Sequence, residues 1–246
     1  MSKMFYPTIG SVPYLNAKPL IYGLNNHIVF AAPAQLSLLL KEGKVDVALC
    51  PLGASLIEGW SYFVDGIGIV ADGDVYSVIL VNDKPLDALR TVRADFESRS
   101  SVLLLRVIFE CFFGKPLRFV SAEEEADGFL LIGDKALQYR KEHPDRTVID
   151  LGGLWKKLTG LPFVFALWTI RSGYEEKEKI KELLTQAKER GLASIEKIAQ
   201  SPQEITYLTH FIHYEVKGKE KMGIEEFSKK LVQLKLINQV NPFHWV

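Results

Sequence analysis

Short apolar runs of strand length alternate with helix-length runs from residue 8 onward, and this alternation restricts the chain to a small set of folds. Thr8, Ile9, Gly10, Ser11 and Val12 read as a strand, and Pro13, Tyr14, Leu15 and Asn16 then lead into an apolar helix expected at 17–24. A strand is expected at 28–32, a helix at 33–42 stopped by Gly43, and a buried strand at 45–51 that ends on Pro51. A β-α-β-α-β order with short connections builds a parallel sheet wrapped by helices, with ligands gathered at the carboxyl ends of the strands. Here those ends are 11–16 and 51–55.

A further apolar run at 75–81 leads into Asn82, Asp83, Lys84 and Pro85, a composition suited to a crossing segment. Beyond it a second small α/β pattern begins. Strands are expected at 91–94, 117–120 and 129–132, with helices at 101–113 and from Asp134 onward. The apolar run 163–171 has the length of a strand that returns to the first unit. Leu183, Leu184, Ala187, Leu192, Ile195 and Ile198 then recur near helical spacing, and Phe227, Leu231 and Leu234 mark a last amphipathic helix. The expected division is a discontinuous first lobe, 1–82 plus 169–246, with a second lobe, 83–168, inserted into it. Such a layout is a two-lobed clamp, with a ligand held in the cleft between the lobes.

Composition removes several classes of function. Thirty basic and thirty acidic residues cancel across 246 positions, and no basic stripe runs along the chain, so a nucleic-acid partner is not expected. No run approaches membrane-spanning length and positions 1–7 lack the apolar centre of a signal peptide, so a cytoplasmic protein without a membrane partner is expected. Cys50 and Cys111 both fall in apolar runs and read as small hydrophobes in a reducing compartment, not as a disulfide pair. The five histidines show no metal-ligand spacing, so no metal is expected. The Gly-x-Ser-x-Gly elbow, the P-loop and the Gly-x-Gly-x-x-Gly fingerprint are missing, which weakens hydrolase, kinase and dehydrogenase readings.

Four clusters can carry chemistry. Asn16 stands where a helix begins; it either caps that helix or, with free N–H groups and the positive dipole end, helps to hold an anion. Ser98, Arg99, Ser100 and Ser101 precede the apolar residues Val102 to Leu105, and either cap that helix or offer hydroxyls, N–H groups and a guanidinium to a carboxylate. Gly133 and Asp134 turn a strand into a helix: Asp134 reads as the N-cap, and Gly133 lets backbone approach a ligand closely. Ser77 lies just beyond the turn Asp72, Gly73, Asp74 at the entry to a strand. Two carboxylate seats, one per lobe, favour a dicarboxylate.

Six segments in order carry a family resemblance: Tyr14-Leu15-Asn16 with Lys18-Pro19; Asp46-Val47-Ala48-Leu49 with Pro51; Asp72-Gly73 with Val75 and Ser77-Val78; Ser98-Arg99-Ser100-Ser101-Val102 with Leu105-Arg106; Ile132-Gly133-Asp134 with Ala136-Leu137; and the run from Leu161 to Trp168. Together they resemble the chorismate dehydratase family of the futalosine route to menaquinone, nearly end to end. The resemblance implies an α/β, two-lobed, periplasmic-binding-protein-like fold of type II, each lobe a mixed, mostly parallel sheet flanked by helices. It implies loss of water from chorismate to give 3-[(1-carboxyvinyl)oxy]benzoate without a cofactor, in a monomer or homodimer. By the family pattern Asn16 and Ser77 carry over as catalytic candidates and Ser100 and Ser101 as carboxylate binders. Tyr14, Pro51, Ser98, Arg99, Gly133 and Asp134 complete the expected substrate site. Asp74 stands where the family usually has proline, and Ser100 where threonine is common. The rival readings are a non-catalytic aromatic-acid sensor and the related dihydroxynaphthoate synthase, whose Cys-Pro-Asn-Asp start is not found here.

Overall fold

The computed structural model describes residues 6–24, 28–94, 99–121 and 123–246, and of Arg99 the backbone alone. The described strands form two mixed sheets. The first has the order β11-β4-β10-β3-β1-β2, built from β1 (Ile9–Ser11), β2 (Ile28–Phe30), β3 (Val47–Pro51), β4 (Tyr62–Ala71), β10 (Phe163–Ile170) and β11 (His244–Trp245). The second has the order β7-β6-β8-β5-β9, from β5 (Val78–Asn82), β6 (Thr91–Ala94), β7 (Arg118–Val120), β8 (Gly128–Ile132) and β9 (Ile149–Asp150). In the first sheet β1 runs parallel to β2 and β3, as the β-α-β-α-β pattern requires, while β10 is antiparallel to both β3 and β4. The second repeats the mixture: β6 is parallel to β7 and β8, and β5 is antiparallel to β8 and β9.

Sheet membership moves both crossings earlier than the expected positions 82 and 168. The run Val78–Asn82 pairs within the second sheet, and the whole of Phe163–Ile170 lies within the first. The physical reason is that both runs are apolar but for Asn82 and Thr169. A strand buried on both faces fits the interior of either sheet, and its pattern carries no mark of which one.

The helices are α1 (Lys18–Ile21), α2 (Pro33–Lys41), α3 (Leu52–Ile57), α4 (Arg99–Val107), α5 (Gly133–Glu142), α6 (Leu151–Thr159), α7 (Lys177–Leu192), α8 (Ile195–Ile198), α9 (Pro202–Thr206) and α10 (Gly218–Gln233). Wider π-type turns continue α4 through Ile108–Phe112 and α9 through Tyr207–Phe211. The helix expected at 17–24 is one turn, α1, preceded by a 3₁₀ turn at Leu15–Ala17. Tyr22 leaves helical backbone and Gly23 turns with φ +70°, so the apolar residues end in a turn instead of a longer helix. Helix α7 lies directly on α1: a Cβ added at Gly191 would stand 1.9 Å from the Pro19 carbonyl oxygen, so only glycine permits this approach.

One continuous apolar core runs through both lobes. Its centre at the crossing is aromatic: Trp155 of α6, Phe163 of β10 and Phe227 of α10 meet edge to face with centroids 5.0–6.0 Å apart. The indole N–H of Trp155 donates to the Pro162 carbonyl at 3.2 Å, which satisfies the one polar atom this large side chain brings into the core. Residues of both lobes are thus packed together in one core. Among the described residues no helix is long and apolar enough to cross a membrane.

Candidate active site

The carboxyl ends of β1 and β3 face the first turn of α4 and the β8–α5 junction across a cleft of about 610 Å³, counted out to its open mouth. Val12, Leu49, Ile69, Val75, Ile132 and Phe165 make most of its wall apolar, and the polar groups reaching it come from Tyr14, Asn16, Ser77, Ser100 and Ser101. Pro51 and the backbone of Gly133 complete the rim. A mostly dry wall with a few converging donors and acceptors is the usual character of a small-molecule site.

Asn16 does not cap a helix. It lies inside the 3₁₀ turn, whose N-cap Tyr14 makes no side-chain cap bond, and the following helix has a single turn. Its Nδ2 instead donates to the Tyr207 hydroxyl at 3.2 Å, and that hydroxyl donates to Ser77 Oγ at 2.8 Å. The Asn16 Oδ1 is buried without a protein partner. Tyr207 is fully buried, and burial pushes its phenol well above the ordinary tyrosine range, so it stays neutral.

Ser77 is held by an array that the sequence reading did not anticipate. The preceding residue, Tyr76, has φ +66°, a left-handed conformation that costs an ordinary residue about 1–2 kcal/mol. Four contacts hold it there. Its N–H donates to Asp150 Oδ2 at 2.7 Å, its carbonyl accepts from Arg140 Nε at 2.9 Å, its ring stacks on Phe211 at 4.5 Å, and the Arg140 guanidinium covers the ring at 4.3 Å. Asp150 also accepts the N–H groups of Val75, Gly152 and Gly153, caps α6, and pairs with Arg140 at 3.1 Å. Burial pushes the Asp150 carboxyl up; the N–H donors at Val75 and Gly153 pull it back, and the nearby Asp74 charge pushes it up again. Gly133 N–H then donates to the Ser77 carbonyl at 2.8 Å, so the β8–α5 junction is tied to the same residue.

Ser100 and Ser101, both buried, sit in the first turn of the nine-residue α4, where the positive end of the helix dipole favours an anion. Ser100 Oγ accepts the Gly53 N–H from α3 across the lobes at 2.8 Å. One of its two lone pairs is thereby engaged. Gly133 has φ +54°, and the Tyr14 ring lies 3.7 Å from where a Cβ would stand. Asp134 is not the N-cap of α5, which is Ile132; its carboxylate accepts the Leu15 N–H at 3.4 Å and is not among the residues lining the cleft. Ser98 and the side chain of Arg99 lie outside the described residues.

Tyr207, Tyr76, Arg140 and Asp150 were thus missed. Tyr207 carries no local signal, since it reads as one more core aromatic in a helical run. Asp150 before Leu151-Gly152-Gly153 does carry the signature of an N-cap. The thiol of Cys50 is pushed up to about 12 by burial and is inert at neutral pH; Cys50 and Cys111 are both free. Among the described residues no group of three or more His, Cys, Asp or Glu is placed to hold a metal ion.

Comparison with known proteins agrees with this architecture. A chorismate dehydratase of Thermus thermophilus is 28% identical over 265 aligned residues, spanning 91% of this chain and 94% of its own. Protein AF1704 from Archaeoglobus fulgidus superposes with a TM-score of 0.73 at 14% identity over 94% of this chain and 98% of its own. The Candida albicans CA3427 gene product, described as having the generic periplasmic binding protein fold, superposes with a TM-score of 0.59 at 11% identity over 99% of both chains. These structural likenesses show the fold, a periplasmic-binding-protein-like clamp. The family model for menaquinone biosynthesis matches residues 7–232, which takes in strands β1 to β10 and the Asn16–Tyr207–Ser77 chain, and the protein belongs to that family.

Proposed function

We propose that this protein is a chorismate dehydratase, a carbon–oxygen lyase that removes water from chorismate to give 3-[(1-carboxyvinyl)oxy]benzoate. The observation that carries the reading is the pairing, in one apolar cleft, of an anion-holding helix start at Ser100 and Ser101 with a hydroxyl-and-amide pair at Asn16 and Ser77. Chorismate presents the complementary groups, a ring carboxylate and a ring hydroxyl.

The ring carbon that bears the enolpyruvyl ether loses its proton, the adjacent carbon loses hydroxide, and the electron pair of the broken C–H bond completes the aromatic ring. Proton and hydroxide leave as one water, so the step is redox-neutral and calls for no nicotinamide. As the C–H bond breaks, charge flows through the diene onto the ring carboxylate, where Ser100, Ser101 and the α4 N–H groups stabilise it. Asn16 and Ser77 grip the departing hydroxyl. Among the described residues lining the cleft there is no carboxylate, and neither a serine nor an amide is basic enough at neutral pH, which supports the substrate's own enolpyruvyl carboxylate as proton acceptor.

The same reading takes the lobes as two bodies that close on chorismate, divided where the chain passes between sheets, and takes the protein as a cytoplasmic monomer or homodimer. The test is to mix purified, metal-stripped protein with chorismate and follow products by chromatography and mass. A product lighter by one water that retains the enolpyruvyl group supports the reading. Binding without conversion points to a sensor, and neither binding nor conversion removes chorismate from consideration.

A further inference from the structure

Asn16 lines the cleft, and its Oδ1 is a buried acceptor with no protein partner, although the other atom of the same amide is bonded. The bond it does make explains the orientation. Nδ2 can only donate, so the Tyr207 oxygen must accept from it; the single phenol proton is then given to Ser77 Oγ. One of the two lone pairs of Ser77 Oγ is then occupied from behind, which leaves its own proton for the cleft side. We propose that Tyr207 is a positioning residue that sets the polarity of the site, making Ser77 a donor and Asn16 Oδ1 an acceptor toward the substrate.

This deepens, and rests on, the dehydratase reading. A leaving hydroxyl is both acceptor and donor. Ser77 O–H placed on its oxygen stabilises the negative charge that grows as the C–O bond breaks, and Asn16 Oδ1 takes the hydroxyl's own proton as a hydrogen bond, fixing its direction. Reversed polarity would present NH2 from Asn16 and a lone pair from Ser77, and the serine would then face the departing hydroxide as an acceptor. Tyr207 itself is fully buried behind the pair and does not line the cleft. It holds one proton arrangement by linking a residue of the first lobe to one that enters the second sheet.

The test is Tyr207→Phe, which keeps the ring and removes only the hydroxyl, combined with Ser77→Ala in a double-mutant cycle on chorismate turnover. The expected result is a loss of about tenfold to hundredfold in kcat with KM changed less than about threefold, below the roughly hundredfold to thousandfold seen when a donor to a developing anion is itself removed, because Tyr207 only orients that donor. In the Ser77→Ala background the same substitution is expected to change kcat less than about twofold, because the group through which Tyr207 acts is gone. Equal losses in both backgrounds, or no loss in either, overturn the proposal.

A second readout needs no substrate. In 15N-labelled wild-type protein the Asn16 side-chain amide, assigned with Asn16→Ala, is expected to exchange slowly and to resonate away from exposed asparagines, and Tyr207→Phe moves it back. If wild type leaves chorismate unchanged, the dehydratase reading fails by itself, and this amide signal still decides the Tyr207 linkage. An exposed-like amide in wild type refutes that linkage.

Discussion

Gly53→Ala tests whether the lobes meet in solution as described. Alanine has the better helix propensity, by up to about 1 kcal/mol, so at an open helix position the change stabilises. Gly53, however, lies in α3 against α4 of the other lobe. A Cβ there would stand 2.7 Å from Leu103 Cδ1, 3.0 Å from Ser100 Cα and 3.3 Å from Ser100 Oγ. Relief requires moving backbone, and overpacking of this kind costs about 1–3 kcal/mol. The shift also stretches the 2.8 Å bond from the Gly53 N–H to Ser100 Oγ, which contributes about 1 kcal/mol. The net expectation is a loss of about 1–3 kcal/mol in urea unfolding, with weaker chorismate affinity because the displaced turn carries Ser100 and Ser101. The sign is the decisive quantity. A variant more stable than wild type by about 1 kcal/mol would mean that the α3–α4 contact is not made in solution, and the interlobe reasoning would fall.

Trp155→Ala removes the side chain at the centre of the aromatic cluster and is expected to cost about 3–5 kcal/mol by chemical denaturation; a loss under about 1 kcal/mol would deny the cluster its role in joining the lobes. Asp134→Asn is expected to leave kcat within about twofold, since Asp134 bonds Leu15 and does not line the cleft, whereas a hundredfold loss at unchanged affinity would identify it as the base. Asp150 is raised in the folded protein, so the folded state binds a proton that the unfolded chain has released. The associated stability is complete below the ordinary aspartate range and is lost as pH rises through the raised value. Asp74→Asn relieves part of that rise and is expected to stabilise by about 0.5 kcal/mol at neutral pH and not at all in strong acid; equal gains at both pH values would contradict the coupling. Asp127 is held well below the carboxylate range by Lys84 and the N–H groups of Arg90 and Thr91, so Asp127→Asn is expected to remove part of the loss of stability that wild type shows as pH falls below that range, read by acid titration of the fold.

The alternation of strands and helices was legible because each element carries its own period of apolar residues, and burial follows that period. Ile9, Val47, Leu49 and Cys50 are all buried, as strands inside a sheet covered on both faces require. The ends of elements were less legible where tertiary packing or a single turn residue decides them. The apolar residues at 17–24 satisfy a helical pattern, yet Gly23 turns the chain and only the first turn packs beneath α7. The crossings at 78 and 163 depend on which sheet completes a strand's hydrogen bonds, a choice made by partners far along the chain.

The site divides along the same line. The α4 start with Ser100 and Ser101 is a local feature, two hydroxyls in the first turn of a helix that continues apolar, and local rules suffice to single it out as a candidate. The hydrogen-bonded chain at the cleft joins Asn16 to Tyr207 across 191 residues and Tyr207 to Ser77 across 130, and no periodicity in any one segment encodes such a meeting. Tyr207 has the burial and spacing of a core aromatic because it is one; only its hydroxyl differs. In sequence, phenylalanine at 207 looks like a conservative exchange. In the folded chain it leaves Asn16 Nδ2 and Ser77 Oγ without a shared partner in a buried place, where an unmet polar group costs about 1–3 kcal/mol, and it frees both groups to turn. On the proposed mechanism the chemistry at the cleft depends on a residue whose importance exists only in the folded chain, where the turn at Tyr207–Phe211 reaches back to the turn at Leu15–Ala17.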